Sequence, residues 1–388
     1  MNDNGVTTGK YGNRDSGIEI LKIIAMFLIV LNHCVMSITE ASGVLPSADC
    51  IIDINSGSTV LSTIIISILR STGCVGNDIF VACSAWFLIG SKGNGRRKAL
   101  FLILETWIMS VIIFFVTLAF GCDLDRDSTL KQFFPVGNSN NWFVTCFILL
   151  MFIYPLLNKL IEWMSQKALL AATLVMIVLY SIFNFFRPWF FDYGPYFVSE
   201  LVIWIMIYFI IAYIKLYMKD FSASTGANIA CLLIGLFGHA AVVVINNFAG
   251  LWIPMFAGRG LYYVYSGSPF ILLLVVGALN LAKRGTFRCR FINYVSGLSL
   301  LTYIIHENYI LRYNYRPWIF YYIYETFGYE HVILWLLLAT LAIFVAALLI
   351  SAAFKETIER LVRRLSDWLY GLLSRLYHKV ESKLLKLH

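Results

Sequence analysis

Long apolar stretches separated by short polar segments make up most of the sequence. A helix needs roughly 20 apolar residues to cross the hydrocarbon core of a bilayer. Ten stretches approach or reach this length, at residues 17–37, 73–91, 99–120, 142–160, 168–186, 197–218, 227–248, 268–282, 294–312 and 331–354. A shorter apolar segment, 60–70, ends at Arg70, and we expect it to be interfacial or re-entrant. The pattern predicts an all-α integral membrane protein with a bundle of about ten transmembrane helices.

The C-terminal residues 355–388 follow a different, amphipathic pattern. Leucines recur there at helical spacing, and basic residues occupy the other face. They are Leu361, Leu365, Leu369, Leu372 and Leu376, with Arg363, Arg364, Arg375 and Lys379 opposite. Such a helix lies along the inner leaflet, attracted by anionic lipid, although a partner-binding role is the alternative. The sequence therefore divides into a cytoplasmic segment 1–16, a transmembrane domain 17–354 and a cytoplasmic amphipathic tail 355–388.

The composition excludes a water-soluble protein. Hydrophobic residues make up 60% of the 388 residues and charged residues 13%, with a mean hydropathy of +0.76. Soluble domains carry about 25% charged residues, so soluble, disordered and fibrous classes are excluded. The eight cysteines show no metal-ligand spacing and lie mostly in apolar stretches, where cysteine behaves as a small hydrophobe. We therefore expect no metal cofactor.

The basic residues predict the orientation in the membrane. The net charge is +8, and 22 of the 30 lysines and arginines fall in segments that lie inside if the N-terminus is cytoplasmic. Cytoplasmic loops carry the excess of Lys and Arg, so both termini are expected in the cytoplasm. The sequence predicts a multi-pass protein of the inner (cytoplasmic) membrane, whose basic residues face lipid headgroups; nucleic acid is not an expected partner.

Ionisable residues inside the predicted spans are costly in lipid and mark candidate functional positions. His33, Asp78 and His306 fall in the outer halves of three different spans, and Glu307 follows directly. We expect these groups to converge, with His33 as a general base and Asp78 as the carboxylate that orients it. Simpler interpretations stay open: His33 packs helices together, and Asp78 caps the start of its helix.

Basic residues near the inner side indicate a candidate phosphate site. Lys22 precedes His33 by 11 residues, which puts both on one helix face, roughly 16 Å apart. The predicted inner loop 92–98 contains Arg96 and Arg97, whose guanidinium groups suit phosphate. The alternative is an ordinary topology-determining loop together with a Lys22 that snorkels to the membrane surface.

Several segments resemble the bacterial membrane acyltransferase-3 family, and the resemblance spans nearly the whole of residues 14–350. The segments are Ile20–Ala25 leading to His33, Gly76–Phe87, Asn141–Phe143 with Tyr154–Pro155, and Thr302–Asn308. They are similar to that family's opening helix, its Gly-Val-Asp-Leu-Phe-Phe stretch, its Trp-Phe…Pro helix and its late His-Asp-Asn motif. This chain departs from the family at Lys22, where Arg is usual, at Ala85, where Gly is usual, and at Glu307, where Asp is common.

The resemblance implies an acyl-CoA-dependent O-acetyltransferase of the membrane. Such a protein takes an acyl group, most often acetyl, from cytosolic acyl-CoA and places it on a hydroxyl of a cell-surface or lipid-linked glycan. The residues assigned on this basis are His33, Asp78, His306 and Glu307 for catalysis, Lys22, Arg96 and Arg97 for the phosphates of acetyl-CoA, and Asn32, Asn308 and Trp142 for the substrate.

Two other classes of function remain compatible with the sequence. Buried His, Asp and Glu residues also serve proton relays, so a proton-coupled transporter or flippase of a glycan or small solute is one alternative. A sensory or scaffold protein, whose buried polar groups only hold helices together, is the other. Aromatic residues of the predicted outer side form either a sugar-stacking platform or an interfacial belt. They are Trp189, Tyr193, Tyr196, Trp252, Tyr262, Tyr263 and Tyr265.

Overall fold

The computed structural model describes residues 15–41, 50–54, 58–121, 124–137, 141–190, 200–253, 265–285 and 287–384. Within these ranges the chain is helical and has no strand, so the predicted all-α membrane fold is confirmed. The predicted segment 1–16 lies outside the described residues except for its last two. The helices are α1 (Ser16–Thr39), α2 (Leu61–Arg70), α3 (Thr72–Leu88), α4 (Gly95–Ala119), α5 (Arg126–Phe133), α6 (Trp142–Trp163), α7 (Gln166–Ile177), α8 (Phe183–Phe190), α9 (Glu200–Tyr217), α10 (Lys219–Ala223), α11 (Thr225–Trp252), α12 (Pro269–Ala282), α13 (Arg290–Ser296), α14 (Ser299–His306), α15 (Arg316–Phe327), α16 (Val332–Thr357) and α17 (Glu359–Leu384).

Eight helical stretches of the described residues are long and apolar enough to cross a membrane. They are Ser16–Thr39, Leu61–Leu88, Gly95–Ala119, Trp142–Trp163, Gln166–Phe186, Glu200–Tyr217, Thr225–Trp252 and Val332–Thr357. Helix α12 is apolar but has 14 residues. The prediction of one continuous span over 294–312 is wrong, because α13 and α14 are separate helices and a π-helical turn follows at Leu311–Tyr315.

The apolar segment 60–70 is helical and leads directly into the next helix. Ser71, with φ −82° and ψ −12°, joins α2 to α3 without reversing the chain, so the re-entrant prediction is wrong. Arg70 at the end of α2 contacts α1 instead. Its guanidinium donates to Asn32 Oδ1 at 2.7 Å and to Glu40 Oε1 at 2.8 Å.

Helix α1, which carries His33, is held among α3, α14 and α16. Asp15 caps its start by accepting a hydrogen bond from the Gly17 N–H at 2.9 Å. Gly76 allows α3 to approach closely, since a Cβ at this position would lie 2.5 Å from the Ala25 carbonyl oxygen. Small residues let helix backbones approach one another in membrane bundles. The depth and rotation of His33 are therefore set by backbone-to-backbone packing.

The chain leaves helical geometry where α14 ends. Glu307 has φ −100° and ψ 8°, and Asn308 Oδ1 accepts from the Ile310 N–H at 3.1 Å to begin the next turn. Non-helical backbone at membrane depth is tolerated where protein buries it, and Glu307 is 0% exposed. This break is what turns the Glu307 carboxylate toward the interior, beside His306.

The C-terminal helix α17 packs along α4. Val362 and Ser366 are buried in this contact, whereas Trp368 is exposed. Arg97 Nε donates to Asp367 Oδ1 at 2.7 Å, and this bond lowers the pKa of Asp367. The helix is thus joined to the start of α4 by an ion pair as well as by packing.

Candidate active site

Two histidines and a carboxylate meet in the interior of the bundle. The rings of His33 and His306 stack with centroids 5.2 Å apart. His33 Nδ1 lies 2.9 Å from His306 Nε2 and 2.9 Å from Glu307 Oε2. All three residues are buried. The structure therefore brings together three of the four predicted catalytic residues.

Hydrogen-bond partners determine where the protons of the two imidazoles lie. His306 Nδ1 is 2.8 Å from the Thr302 carbonyl oxygen, so it carries a proton and donates to that carbonyl. His306 Nε2 is then an acceptor, and His33 Nδ1 must be the donor that faces it and Glu307. The lone pair of His33 is left on Nε2. A carboxylate at one imidazole nitrogen and a lone pair at the other is the arrangement of a general base.

Two arginines compensate the charge of Glu307. Arg316 Nη1 and Nη2 lie 3.3 and 3.4 Å from Glu307 Oε2, and Arg312 Nη1 donates to Oε1. Arg316 also donates to Ser37 Oγ at 2.9 Å and to the His306 carbonyl at 3.1 Å, which fastens this turn to α1. Buried charges require such pairing. Because two guanidinium groups share one carboxylate, the surroundings of the histidine pair carry net positive charge.

Asp78 has different partners from those predicted. Its carboxylate accepts hydrogen bonds from the Ser266 hydroxyl and from the Gly267 N–H, the latter at 2.6 Å. Gly267 has φ +80°, a left-handed conformation that glycine adopts without strain. Asp78 thus anchors the turn before α12, and the predicted contact with His33 is wrong. Glu307 occupies the position beside His33 that was expected for Asp78.

The three predicted substrate contacts also lie among other partners. Asn32 accepts a hydrogen bond from Arg70 of α2. Asn308 and Gln132 exchange two amide hydrogen bonds of 3.1 and 2.8 Å, which joins the break after α14 to α5. Trp142 begins α6, with its ring centroid 6.3 Å from that of Trp204. These contacts connect helices, and binding of substrate by Asn32, Asn308 or Trp142 stays a prediction.

The aromatic platform also stays a prediction. The side chains of Trp189, Tyr193, Tyr196, Tyr262 and Tyr263 lie outside the described part of the chain. Tyr265 donates to the Ser181 carbonyl at 2.8 Å, and Trp252 is 81% exposed.

A basic cleft opens at the membrane face where α1 and α4 begin. It consists of two cavities of about 230 and 490 Å³ that share Phe101, Leu102, Phe147 and Arg363. Its cations are Lys22, Arg97, Lys98, Lys355 and Arg363, and its acids are Glu105, Glu359 and Asp367. The cleft thus contains two of the three residues predicted to bind phosphate. The third, Arg96, is exposed and lines neither cavity.

A separate cavity, which we call the distal cavity, lies near the other end of α1. It has a volume of about 250 Å³, and Ser37, Glu40, Tyr309, Arg312 and Arg316 contribute to its wall. The two arginines are the partners of Glu307. The histidine cluster therefore lies between the basic cleft and the distal cavity along α1.

Aromatic rings separate the basic cleft from the histidine pair. Phe80, in the wall of the cleft, contacts Phe143 with ring centroids 5.5 Å apart. Phe143 contacts Tyr303 at 4.8 Å, and Tyr303 contacts His33 at 6.0 Å. The Tyr303 hydroxyl is buried and has no hydrogen-bond partner among the described residues. An unpaired buried hydroxyl costs about 1–3 kcal/mol, so this group has an unused capacity for one hydrogen bond.

The histidine cluster also has the residue types of a metal site. Ligand atoms of His33, His306 and Glu307 lie within 4.8 Å of one another. The carboxylate, however, already accepts from two guanidinium groups, and a divalent ion would add charge to a region of net positive charge. The 2.9 Å between His33 Nδ1 and His306 Nε2 is a hydrogen-bond distance. Two nitrogens on one tetrahedral zinc lie about 3.3 Å apart. The geometry fits a hydrogen-bonded acid–base cluster better than a metal centre.

The fold and the site together define a general class of protein, a bundle of membrane-crossing helices with a buried cluster of two histidines and a carboxylate. Within that class, the acyltransferase-domain profile matches residues 15–355, and the chain belongs to this acyltransferase-3 family. The resemblance predicted from the sequence is therefore confirmed. Neither a curated protein nor a solved structure matched the chain.

Sequence reasoning missed the arginines that hold Glu307. Arg312 and Arg316 are among the eight basic residues outside the predicted inner segments, and their basic character contributes only to the predicted topology. Their spacing of five and nine residues from Glu307 was the available signal. It could not be interpreted without the break after α14, which brings both guanidinium groups back to the carboxylate.

Proposed function

We propose that the chain transfers an acyl group, most simply acetyl, from acyl-CoA to a hydroxyl of a cell-surface or lipid-linked glycan. The main observation that supports this proposal is the buried cluster in which Glu307 and His306 leave the lone pair of His33 on Nε2. Family membership gives the class of reaction, acyl transfer. The acyl-CoA donor, the glycan acceptor and the role of His33 are the particulars of the proposal.

In this mechanism His33 moves one proton. The acceptor hydroxyl gives its proton to His33 Nε2 while its oxygen attacks the thioester carbonyl carbon. The tetrahedral oxyanion then collapses, the C–S bond breaks, and the CoA thiolate takes the proton from His33. The products are an ester and free CoA, and the base is regenerated. General base catalysis of this kind contributes about 10²–10⁴ in rate.

The charges around the cluster favour the transition state. Protonated His33 is stabilised by Glu307, which lies 2.9 Å from its Nδ1. The developing oxyanion is stabilised by the net positive charge of Arg312 and Arg316, and by a donor aimed at it. We assign this role to the Tyr303 hydroxyl, which is buried and has no hydrogen-bond partner among the described residues, and whose ring lies 6.0 Å from that of His33. An oxyanion is stabilised most by a preorganised donor in a water-excluded site.

In this proposal the basic cleft and the distal cavity receive the two substrates separately. Lys22 lines the basic cleft and lies 11 residues before His33 on α1, about 16 Å along the axis. The phosphates of the donor occupy the cleft, and the thioester extends past the aromatic rings. The acceptor enters through the distal cavity. With both termini in the cytoplasm of the cell, the donor arrives from the cytosol and the acceptor from the outer side of the inner membrane.

Replacing Tyr303 by phenylalanine separates its proposed role from packing. Because its hydroxyl is unpaired, we expect Tyr303→Phe to keep or raise thermal stability while lowering kcat by about 10²-fold, the usual cost of one oxyanion donor. The matched control is Tyr324→Phe, which removes a 3.2 Å bond to the Val332 carbonyl and should lower stability with kcat unchanged. Thermal unfolding in detergent measures stability, and CoA release under saturating acetyl-CoA measures kcat. Full activity in Tyr303→Phe would remove the hydroxyl from the mechanism.

The proposed function itself is tested on the intact chain. Cells with and without the protein are compared by mass spectrometry of surface and lipid-linked glycans, and the purified protein in lipid is supplied with acetyl-CoA and the same glycans. We expect one ester-linked acetyl group gained for each CoA thiol released. Unchanged glycans and no CoA release with folded protein would reject it. Movement of an unmodified glycan across the bilayer would instead favour the flippase.

A further inference from the structure

The larger cavity of the basic cleft lies among α4, α6 and the C-terminal helix α17. Its volume is about 490 Å³, within the usual range for small-molecule sites. One wall is apolar, with Phe101, Phe147 and Met151, and the other is polar. We call it the tail cavity. A ligand that fits both walls has a flat apolar part beside anionic groups.

Ser366 of α17 lines this cavity with an unused hydrogen-bonding group. The residue is 1% exposed, and its hydroxyl has no hydrogen-bond partner among the described residues. A buried hydroxyl of this kind is normally paired. Ser366 therefore gives an indication of a ligand in the tail cavity that is independent of the charges there.

Two arginines in the same wall form ion pairs with carboxylates that a ligand phosphate could replace. Arg97 pairs with Asp367 at 2.7 Å, and both side chains are about half exposed. Arg363 pairs with Glu359, and its guanidinium lies 4.4 Å from the centre of the Phe101 ring. Exposed ion pairs contribute little stability, so a phosphate can replace Asp367 at Arg97 at small cost. Phosphate also accepts hydrogen bonds from guanidinium and hydroxyl groups together.

The tail cavity combines residues from inside and outside the family domain. Arg97 and Phe101 belong to the matched residues 15–355, whereas Arg363, Ser366 and Asp367 follow them. We propose that α17 completes the donor site, and that the tail cavity binds the nucleotide end of acyl-CoA, with Ser366 and Arg363 contacting a phosphate that takes the place of Asp367 at Arg97. This inference rests on the acyl-CoA dependence proposed above.

Steady-state kinetics and direct binding test the tail cavity. Ser366→Ala removes a hydroxyl that makes no hydrogen bond within the described part of the chain, and Arg363→Gln removes one charge. We expect each variant to raise the KM for acetyl-CoA about tenfold and leave kcat at saturation unchanged, with Arg363→Lys recovering part of the loss. Ser374→Ala and Arg375→Gln, on the same helix but not in the wall of the cavity, are the matched controls and should behave as wild type.

Calorimetric titration of the full chain with CoA, and with adenosine 3′,5′-bisphosphate as the nucleotide end alone, distinguishes the possible outcomes. Weaker binding of both probes in the two variants supports the inference, even if the wild type binds CoA without transferring an acyl group, which would reject the proposed function alone. Unchanged KM and unchanged binding in Ser366→Ala and Arg363→Gln would overturn the inference and leave the proposed function intact. Weaker binding of phosphatidylglycerol vesicles in the two variants, with unchanged binding of CoA and of the bisphosphate, would also overturn it, since the phosphate bound would then belong to a lipid.

Discussion

His33→Gln should reduce acyl transfer by at least about 10³-fold while the protein remains folded. Glutamine can still donate a hydrogen bond to Glu307, so the buried carboxylate keeps a partner, but glutamine cannot accept and return a proton. The loss expected for a removed general base is about 10²–10⁴. The upper part of this range applies because the lone pair of the neighbouring His306, on Nε2, faces residue 33 and is occupied there. CoA release, measured per folded protein at saturating acetyl-CoA, provides the reading.

The control for His33→Gln is a buried histidine outside the cluster. His239 of α11 is 6% exposed, and its Nε2 has no hydrogen-bond partner among the described residues. His239→Gln should keep kcat within about twofold, as expected for a substitution that touches no reacting group. Wild-type turnover in His33→Gln would remove His33 as the base, whatever the behaviour of His239→Gln.

Glu307→Gln should lower kcat by up to about 10⁴-fold, comparable to the loss when a histidine base is left in the wrong tautomer. The new amide can donate to His33 Nδ1, which moves the proton of His33 to Nε2 and removes the lone pair. The substitution also leaves Arg312 and Arg316 without their buried carboxylate, a change that costs about 3–5 kcal/mol. Activity is therefore measured on the folded fraction, separated by size-exclusion chromatography in detergent.

Two further variants test whether the loss in Glu307→Gln comes from the missing carboxylate charge beside His33. Glu307→Asp keeps the negative charge and should retain part of the activity, since the pairing with the arginines is weakened but not lost. Asp78→Asn weakens the attachment of the turn at Ser266 and Gly267, so we expect lower thermal stability with kcat nearly unchanged. If Asp78→Asn instead lost as much kcat as Glu307→Gln, the carboxylate that orients the base would be Asp78.

The sequence was sufficient for the parts of the fold that depend on local pattern. Apolar length identified the crossing helices, and the amphipathic period identified α17. The same pattern failed over 294–312, because an apolar run does not show where a helix breaks inside a protein. The break after α14 depends on tertiary partners, among them Gln132 for Asn308 and Ser37 for Arg316.

For the site, the sequence predicted which residue types belong together but not how they pair. His33, His306 and Glu307 were grouped by depth, and they do meet. Depth alone could not choose between Asp78 and Glu307 as the partner of His33, since both carboxylates lie near it in the sequence-based topology. The choice is made by rotation about the helix axes and by the loop near Gly267, which satisfies Asp78 elsewhere. Neither is encoded in residue spacing.

Under the proposed function, the rings of Phe80, Phe143 and Tyr303 matter for the cell as well as for the reaction. A protein that brings reactants together from opposite sides of a bilayer risks becoming a leak for protons and small ions. These three rings contact one another in series between the wall of the basic cleft and His33. A long acyl-bearing arm would have to part these rings and would then fill the gap itself. The membrane would keep its ion gradients both at rest and during turnover.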